Sequence, residues 1–204
     1  MLQPLPVLLF AVSATALAAE DPRWRARDAI FVSPDKRYEV KLHREPVGGR
    51  LSGCEFKFIE RGSGRQMFGV YQSGTNQGPA FVVWSNDSRL VALYHELKLG
   101  HRPLAYRLVD NEFRALDIPD FDLPADKDSK RIIDYKISEL DVPKKWTNNG
   151  SLIFQSDGKF QVKMKAEWIS YSYHVQVDFD NEGKGKVVER IPTKIETING
   201  GKRQ

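Results

Sequence analysis

An all-β fold, made of antiparallel four-stranded sheets repeated three times, is the class this sequence predicts. Three observations lead there. Apolar and polar residues alternate with a period of two over long stretches, as in half-buried strands. Phe160, Val162, Met164, Ala166 and Trp168 fall on one face, and Lys159, Gln161, Lys163 and Lys165 on the other. Gly, Asn and Asp gather between such stretches, where hairpin turns need them. Finally, a short phrase recurs as Phe31 to Tyr38 (FVSPDKRY), Val83 to Leu90 (VWSNDSRL) and Ile153 to Phe160 (IFQSDGKF). It centres on Asp35, Asp87 and Asp157, spaced by 52 and 70 residues. Periods of this length belong to repeat architectures.

The elements follow in chain order. Met1 to Ala19 carries no charged side chain, has an apolar stretch from Val7 to Val12, and ends in the small-x-small site Ala16-Leu17-Ala18. That is the layout of a secretory signal peptide, residues 1–18, cut after Ala18 or Ala19. It places the protein in the periplasm or outside the cell, with no stable membrane insertion once the signal is removed. One β-rich domain, 19–204, remains. Its first repeat spans 28–72. Pro34 presets a turn, Asp35 can accept nearby backbone N–H groups, and Tyr38, Val40 and Leu42 oppose Arg37, Glu39 and Lys41. The second repeat spans 79–119. Both faces of its Leu90–Tyr94 strand are apolar, so this sheet is expected in the centre, covered on both sides. In 125–145, Ile133, Ile137 and Leu140 recur at helical spacing before Val142-Pro143, which predicts one short inserted helix over 127–140. The third repeat spans 150–193, with a hairpin turning at Asn181–Gly185. Trp84, Leu93, Phe154, Phe160, Trp168 and Tyr173 sit on apolar phases and are the expected core.

The phrases SPDKRYEV and VVWSNDSRLVAL resemble the repeat of WD-like β-propellers. The closest likeness is to the propeller of the Tol translocation family, whose blades carry an apolar-Trp-Ser-Pro-Asp-Gly signature. The chain is also similar to uncharacterised secreted bacterial proteins of this layout. The resemblance implies blade-shaped sheets. Three copies stand here where propellers have four to eight blades, and the third carries Gln155 and Ser156 where the signature has Ser and Pro. An open arc of three sheets in a monomer is the expected assembly, with a dimer completing six blades as the alternative.

Composition narrows the function classes. The 204 residues are 41% hydrophobic and 28% charged, which excludes a disordered tail, a coiled coil and a multi-span membrane protein. With 31 basic and 27 acidic residues, the net charge of +4 is too balanced to imply nucleic acid. A single cysteine, Cys54, excludes an intrachain disulfide and a multi-cysteine metal cage. It reads as a small buried apolar residue.

No coherent catalytic set is evident. His43 and His95 each follow the repeat Asp by eight residues. With Asp35 and Asp87 they are the candidates for acid–base work on a sheet rim, as a secreted hydrolase or carbohydrate-active enzyme would need. His174, Gln176 and Asp178 form the polar phase of an otherwise apolar strand and are the candidate binding stripe. His95-Glu96 with His101 fits no zinc spacing, and the carboxylates around Pro119 lack a calcium loop's pattern, so neither metal nor cofactor is expected. The leading expectation is therefore a binding or scaffolding module for a protein or glycan. A secreted inhibitor or partner subunit donating the loop Gly48–Gly53 or Gly74–Gly78 is a further reading.

Overall fold

Alternation in the sequence becomes strands throughout. The computed structural model describes residues 26–47, 50–73, 79–96, 103–121, 133–162 and 167–199, and within them every regular element is a strand. The first sheet runs β1 (Asp28–Val32), β2 (Tyr38–Val47), β3 (Arg50–Glu60) and β4 (Arg65–Ser73). The second runs β5 (Ala80–Trp84), β6 (Leu90–His95), β7 (Leu104–Val109) and β8 (Glu112–Leu116). The third runs β9 (Ile133–Trp146), β10 (Leu152–Val162), β11 (Glu167–Phe179) and β12 (Gly185–Asn199). Each sheet is an antiparallel meander in which chain neighbours pair, and the sheets do not merge into a barrel. Residues 1–18, expected to be a signal peptide, lie outside the described residues.

The second sheet is the middle layer, as its two apolar faces predict. Every residue of β6 is buried. One face, with Val91 and Leu93, joins Phe31, Val40, Leu42, Phe56 and Phe58 of the first sheet in one core. The other, with Leu90 and Ala92, joins Leu152, Phe154, Tyr173, Val175 and Val177 of the third. Burying each large apolar side chain is worth about 1.5–3 kcal/mol, so these two layers of contact hold the stack. Ring packing adds shape at the first seam. Phe68 stacks on Phe58 at 4.1 Å, and Tyr106 meets Phe58 edge-on at 5.6 Å.

A repeated hydrogen bond fixes how each sheet sits on the one before. Trp84 Nε1 donates to the Phe31 carbonyl at 3.2 Å, and Trp146 Nε1 donates to the Val83 carbonyl at 3.0 Å. Phe31 and Val83 hold matching places, two residues before Ser33 and Ser85. An indole offers a large apolar body and a single donor, so the same residue packs the seam and pins its register. In the first sheet this position is Val32, which is exposed.

At the second seam further backbone contacts close the outer edge. Asp117 N–H donates to the Gly183 carbonyl and Gly185 N–H donates to the Asp117 carbonyl, both at 2.8 Å. A Cβ on Gly185 would collide with that Asp117 oxygen and with Pro119, so glycine permits the approach.

Several expectations need correction. No helix occupies 133–140; this stretch opens β9, and 127–132 lies outside the described residues. Ile133, Ile137 and Leu140 satisfy helical spacing, but Ile133, Tyr135 and Ile137 also alternate, and isoleucine and tyrosine favour strands. Pro143 is tolerated because β9 is an edge strand. The third sheet therefore begins at Ile133, not near residue 150. Its matching turn is not at Asp157, which lies inside β10 opposite Ser172. The true third copy is Trp146-Thr147-Asn148-Asn149-Gly150-Ser151, parallel to Trp84-Ser85-Asn86-Asp87-Ser88-Arg89-Leu90 but one residue shorter, with Ser151 in the bonding place of Leu90. Of the expected core, Leu93, Phe154 and Tyr173 are buried, while Trp84 and Trp168 are only partly so. The Phe160 side chain is outside the described set.

Candidate functional site

The repeated phrase builds one end of the stack. Ser33 N–H donates to the Tyr38 carbonyl, and Ser85 N–H to the Leu90 carbonyl, both at 2.9 Å. The serine hydroxyls then accept the returning N–H of Tyr38 at 3.0 Å and of Leu90 at 2.9 Å. Asp35 Oδ1 accepts from Ser33 Oγ at 2.7 Å and Arg37 N–H at 3.0 Å; Asp87 Oδ1 accepts from Ser85 Oγ at 2.6 Å and Arg89 N–H at 3.1 Å. Lys36 and Ser88 hold positive φ values of 63° and 61°. Asp35 and Asp87 are thus turn-formers whose carboxylates close the loops. Asp157 is not: its partners are the side chains of Ser172, at 2.5 Å, and Gln155, at 3.0 Å.

The third turn reproduces the pattern with one residue fewer. Thr147 N–H donates to the Ser151 carbonyl at 2.9 Å and Thr147 Oγ1 accepts Ser151 N–H at 3.0 Å. Asn149 takes the place of the aspartate and accepts from the Thr147 hydroxyl. Gly150 takes the left-handed position with φ of 86°. Because the loop is shorter, Leu152 pairs with Trp146, whereas Val91 pairs with Trp84. A one-residue change of register moves side chains to the opposite face.

Two clefts open at this end, one on each side of the Asp87–Arg89 turn. The first, about 340 Å³, lies between the first and second sheets and is lined by Asp35, Arg37, Asp87, Ser88, Arg89 and Asp110 among others. The second, about 360 Å³, lies between the second and third sheets and is lined by Asp87, Arg89, Arg107, Asn149, Ser151 and Asp178, with Leu90, Gly150 and Phe179. In the first seam, Asp35 N–H donates to Ser88 Oγ at 3.0 Å, bridging the two turns. Burial alone would raise the Asp35 pKa, but the Arg37 N–H, the Ser33 and Ser88 hydroxyls and the Arg37 charge outweigh it and hold the carboxyl below its ordinary value.

Arg107 braces the second cleft. Its guanidinium donates to the Asp180 carbonyl at 2.7 Å and the Phe179 carbonyl at 3.3 Å. Gln176 Nε2 donates to Ser151 Oγ at 3.1 Å and Asp178 Oδ1 at 3.3 Å. Two members of the predicted binding stripe therefore reach this cleft, Gln176 by positioning Ser151 and Asp178 by lining it. His174 stands exposed on the same strand face, across from Gln155 on one side and Ile191 on the other.

The two candidate catalytic histidines do not meet. His43 Nδ1 lies 2.6 Å from Asp28 Oδ1 on the exposed face of the first sheet. That is an acid–histidine pair, but none of the described clefts at the turn end includes it. His95 is buried in β6, and Ala80 stands across from it where Asp28 faces His43. Cys54 is buried in the first core, and burial pushes its thiol up to about 11, against the pull of the Arg44 charge. Among the described residues no group of three His, Cys, Asp or Glu side chains is placed to hold a metal.

Arg89, Arg107 and the Asn149–Ser151 turn escaped sequence reasoning. The repeated Trp-Ser/Thr-Asn phrase at 84–86 and 146–148 was the signal that locates the turn. Arg107 carries none, since its role depends on carbonyls more than seventy residues away. No known protein family matches the chain, and no curated protein matches it.

Proposed function

We propose that this is an exported, non-catalytic binding module that takes a polar ligand across the turn end of its sheets. The observation that carries this reading is the division of labour at that end. Asp35 and Asp87 are committed to closing their own turns, while the Arg89 guanidinium holds no protein partner among the described residues and faces two clefts. Pockets of this kind place a few fixed polar groups at the meeting of structural units. Export rests on the Met1–Ala19 layout, and the sheets are read as propeller-type blades on the resemblance of their turn phrase. No helix among the described residues is long and apolar enough to cross a membrane.

A monomeric arc is part of the same reading. Val32 stands where Trp84 and Trp146 pin the other sheets, so the first sheet lacks the residue that would dock it on a preceding one. Its free face carries Glu39, Lys41, His43, Glu55 and Lys57, and charges there oppose an apolar joint.

The test combines three measurements on protein expressed from the full coding sequence. Mass spectrometry should find the chain shortened by 18 or 19 residues. Sedimentation should give a single monomer species across concentrations. Assays on 4-nitrophenyl esters and glycosides should show no turnover that His43→Ala abolishes. Turnover lost on that substitution would establish the hydrolase reading in its place.

A further inference from the structure

The two seams at the turn end differ by one hydroxyl, and that difference leaves a donor open. In the first seam Ser88, at the left-handed position of its turn, accepts the Asp35 N–H of the preceding sheet. The matching residue of the third sheet is Gly150, which has no side chain. The Asp87 N–H, in the place that Asp35 N–H holds, has no acceptor among the described residues. The second cleft opens beside it.

We propose that this cleft binds a neutral saccharide, which deepens the binding-module reading and rests on it. The lining decides the ligand class. Arg89 and Arg107 face Asp87 and Asp178, so an anion meets two carboxylates and a cation meets two guanidinium groups. A hydroxyl avoids both conflicts because it donates and accepts at once. Neighbouring hydroxyls on a pyranose ring match the paired donors of a guanidinium and the paired acceptors of a carboxylate. Asn149 Oδ1 is occupied by the Thr147 and Ser151 hydroxyls, which leaves its amide NH₂ as a further donor. Phe179, half-buried beside Trp146 at 6.1 Å between ring centroids, gives the cleft an apolar wall for the C–H face of a sugar. The Asp87 N–H supplies one fixed donor at the same cleft.

Gly150 is the position to change. A Cβ there meets only Leu90 Cδ1, at 3.5 Å, an ordinary contact. Ser88 holds the corresponding left-handed position with φ of 61°, against 86° at Gly150, so Gly150→Ser carries backbone strain and is the variant that would bring a hydroxyl toward Asp87 N–H. Arg89→Ala is the second variant, since its side chain holds no protein partner and its turn bond comes from the backbone.

Amide chemical shifts of the protein would be followed during titration with methyl glucoside, methyl galactoside and methyl mannoside, then with sodium phosphate, lysine amide and N-acetylglycine methylamide. At least one glycoside should shift the Asp87, Arg89, Gly150 and Ser151 amides, with affinity about tenfold weaker in Arg89→Ala, a change of about 1.4 kcal/mol, and lost in Gly150→Ser. Tighter binding of phosphate or lysine amide at those amides overturns the saccharide assignment and leaves the binding module standing. Binding of the neutral peptide probe instead assigns the cleft to a peptide and overturns it equally. Shifts from none of the glycosides, or glycoside binding unaltered in both variants, also overturns it. Hydrolysis of a glycoside lost in His43→Ala fails the parent reading, a separate result.

Discussion

The seam between the first and second sheets and the seam between the second and third use the same indole staple, yet they are finished differently. At the first, the turns are bridged by Ser88 and the core is rich in stacked rings, with Phe58, Phe68, Tyr106 and Phe113 in mutual contact. At the second, the turn loop is one residue shorter, Gly150 replaces the bridging serine, and the closure moves outward to Arg107 and the Asp117 backbone. The lesson is that a repeat can keep its packing rule while freeing one seam's polar rim. The indole bond fixes where a sheet sits; the left-handed residue of the turn decides whether the rim is closed on itself.

The largest expected effect tests the staple. Trp146 is 7% exposed, whereas Trp84 is only partly buried. Trp146→Ala should destabilise by about 3–5 kcal/mol, the range for losing a buried large side chain, and Trp84→Ala by an amount at or below the lower end. Urea unfolding followed by fluorescence and circular dichroism measures both. Equal losses, or a smaller one at Trp146, would mean the two seams are not held by the same device.

Much of the stack was legible because strand period survives in the sequence. Leu90–Tyr94 announced a sheet covered on both sides, and Tyr171 to Phe179 announced which phase is core. The third copy was not legible through Asp157. Its phrase, IFQSDGKF, imitates the turn but lies inside the long strand β10, and the single face read from Phe160 to Trp168 is divided between two paired strands, with Gln161 opposite Trp168. The real copy swaps Asp for Asn149 and drops one loop residue, which moves Leu152 to the other face. Segment 133–140 failed for a related reason: Ile133 and Ile137 fit both the helical and the strand period, and pairing with β10 decides between them. The clefts could not be read at all. Their walls come from residues 35, 37, 87–90, 107, 108, 110, 111, 149–151 and 178–179, which only tertiary packing brings together.

A middle-sized effect separates a turn aspartate from its imitator. Asp87 closes its loop through the Arg89 N–H and the Ser85 hydroxyl, so Asp87→Ala should cost about 0.5–2 kcal/mol, as losses of capping side chains do. Asp157 holds side-chain partners only, and its removal leaves Ser172 and Gln155 able to bond each other. Asp157→Ala should therefore cost less than Asp87→Ala, within about 0.5 kcal/mol of neutral. The denaturation midpoints compare them directly, and a larger loss at Asp157 would restore it as a structural turn equivalent.

Smaller still is the bridge itself. Ser88→Ala removes one hydrogen bond acceptor from the Asp35 N–H at a partly exposed rim, for an expected loss of about 0.5–1.5 kcal/mol. Amide hydrogen exchange gives the local reading: Asp35 N–H should exchange more slowly than Asp87 N–H in the wild type, and the two should converge in Ser88→Ala. Equal rates in the wild type would erase the distinction between the seams.

The weakest effect lies in acid and belongs to the first seam. The Asp35 carboxyl is held below its ordinary pKa of 3.8 by the groups that face it, Arg37, Ser33 and Ser88, despite the opposing influence of burial. A carboxyl with a lowered folded pKa contributes stability that is complete above its unfolded pKa and is lost as pH falls through the folded value. The difference in melting temperature between the wild type and Asp35→Asn should thus be constant from neutral pH down to the ordinary carboxylate range, then shrink in stronger acid. Ser88→Ala should shrink the same difference at neutral pH, because its hydroxyl is one of the groups that favour the charged form. The carboxyl is exposed, so solvent screens much of the interaction and the change should be slight. A difference that grows on acidification would show that burial, rather than the turn's hydrogen bonds, governs this carboxyl.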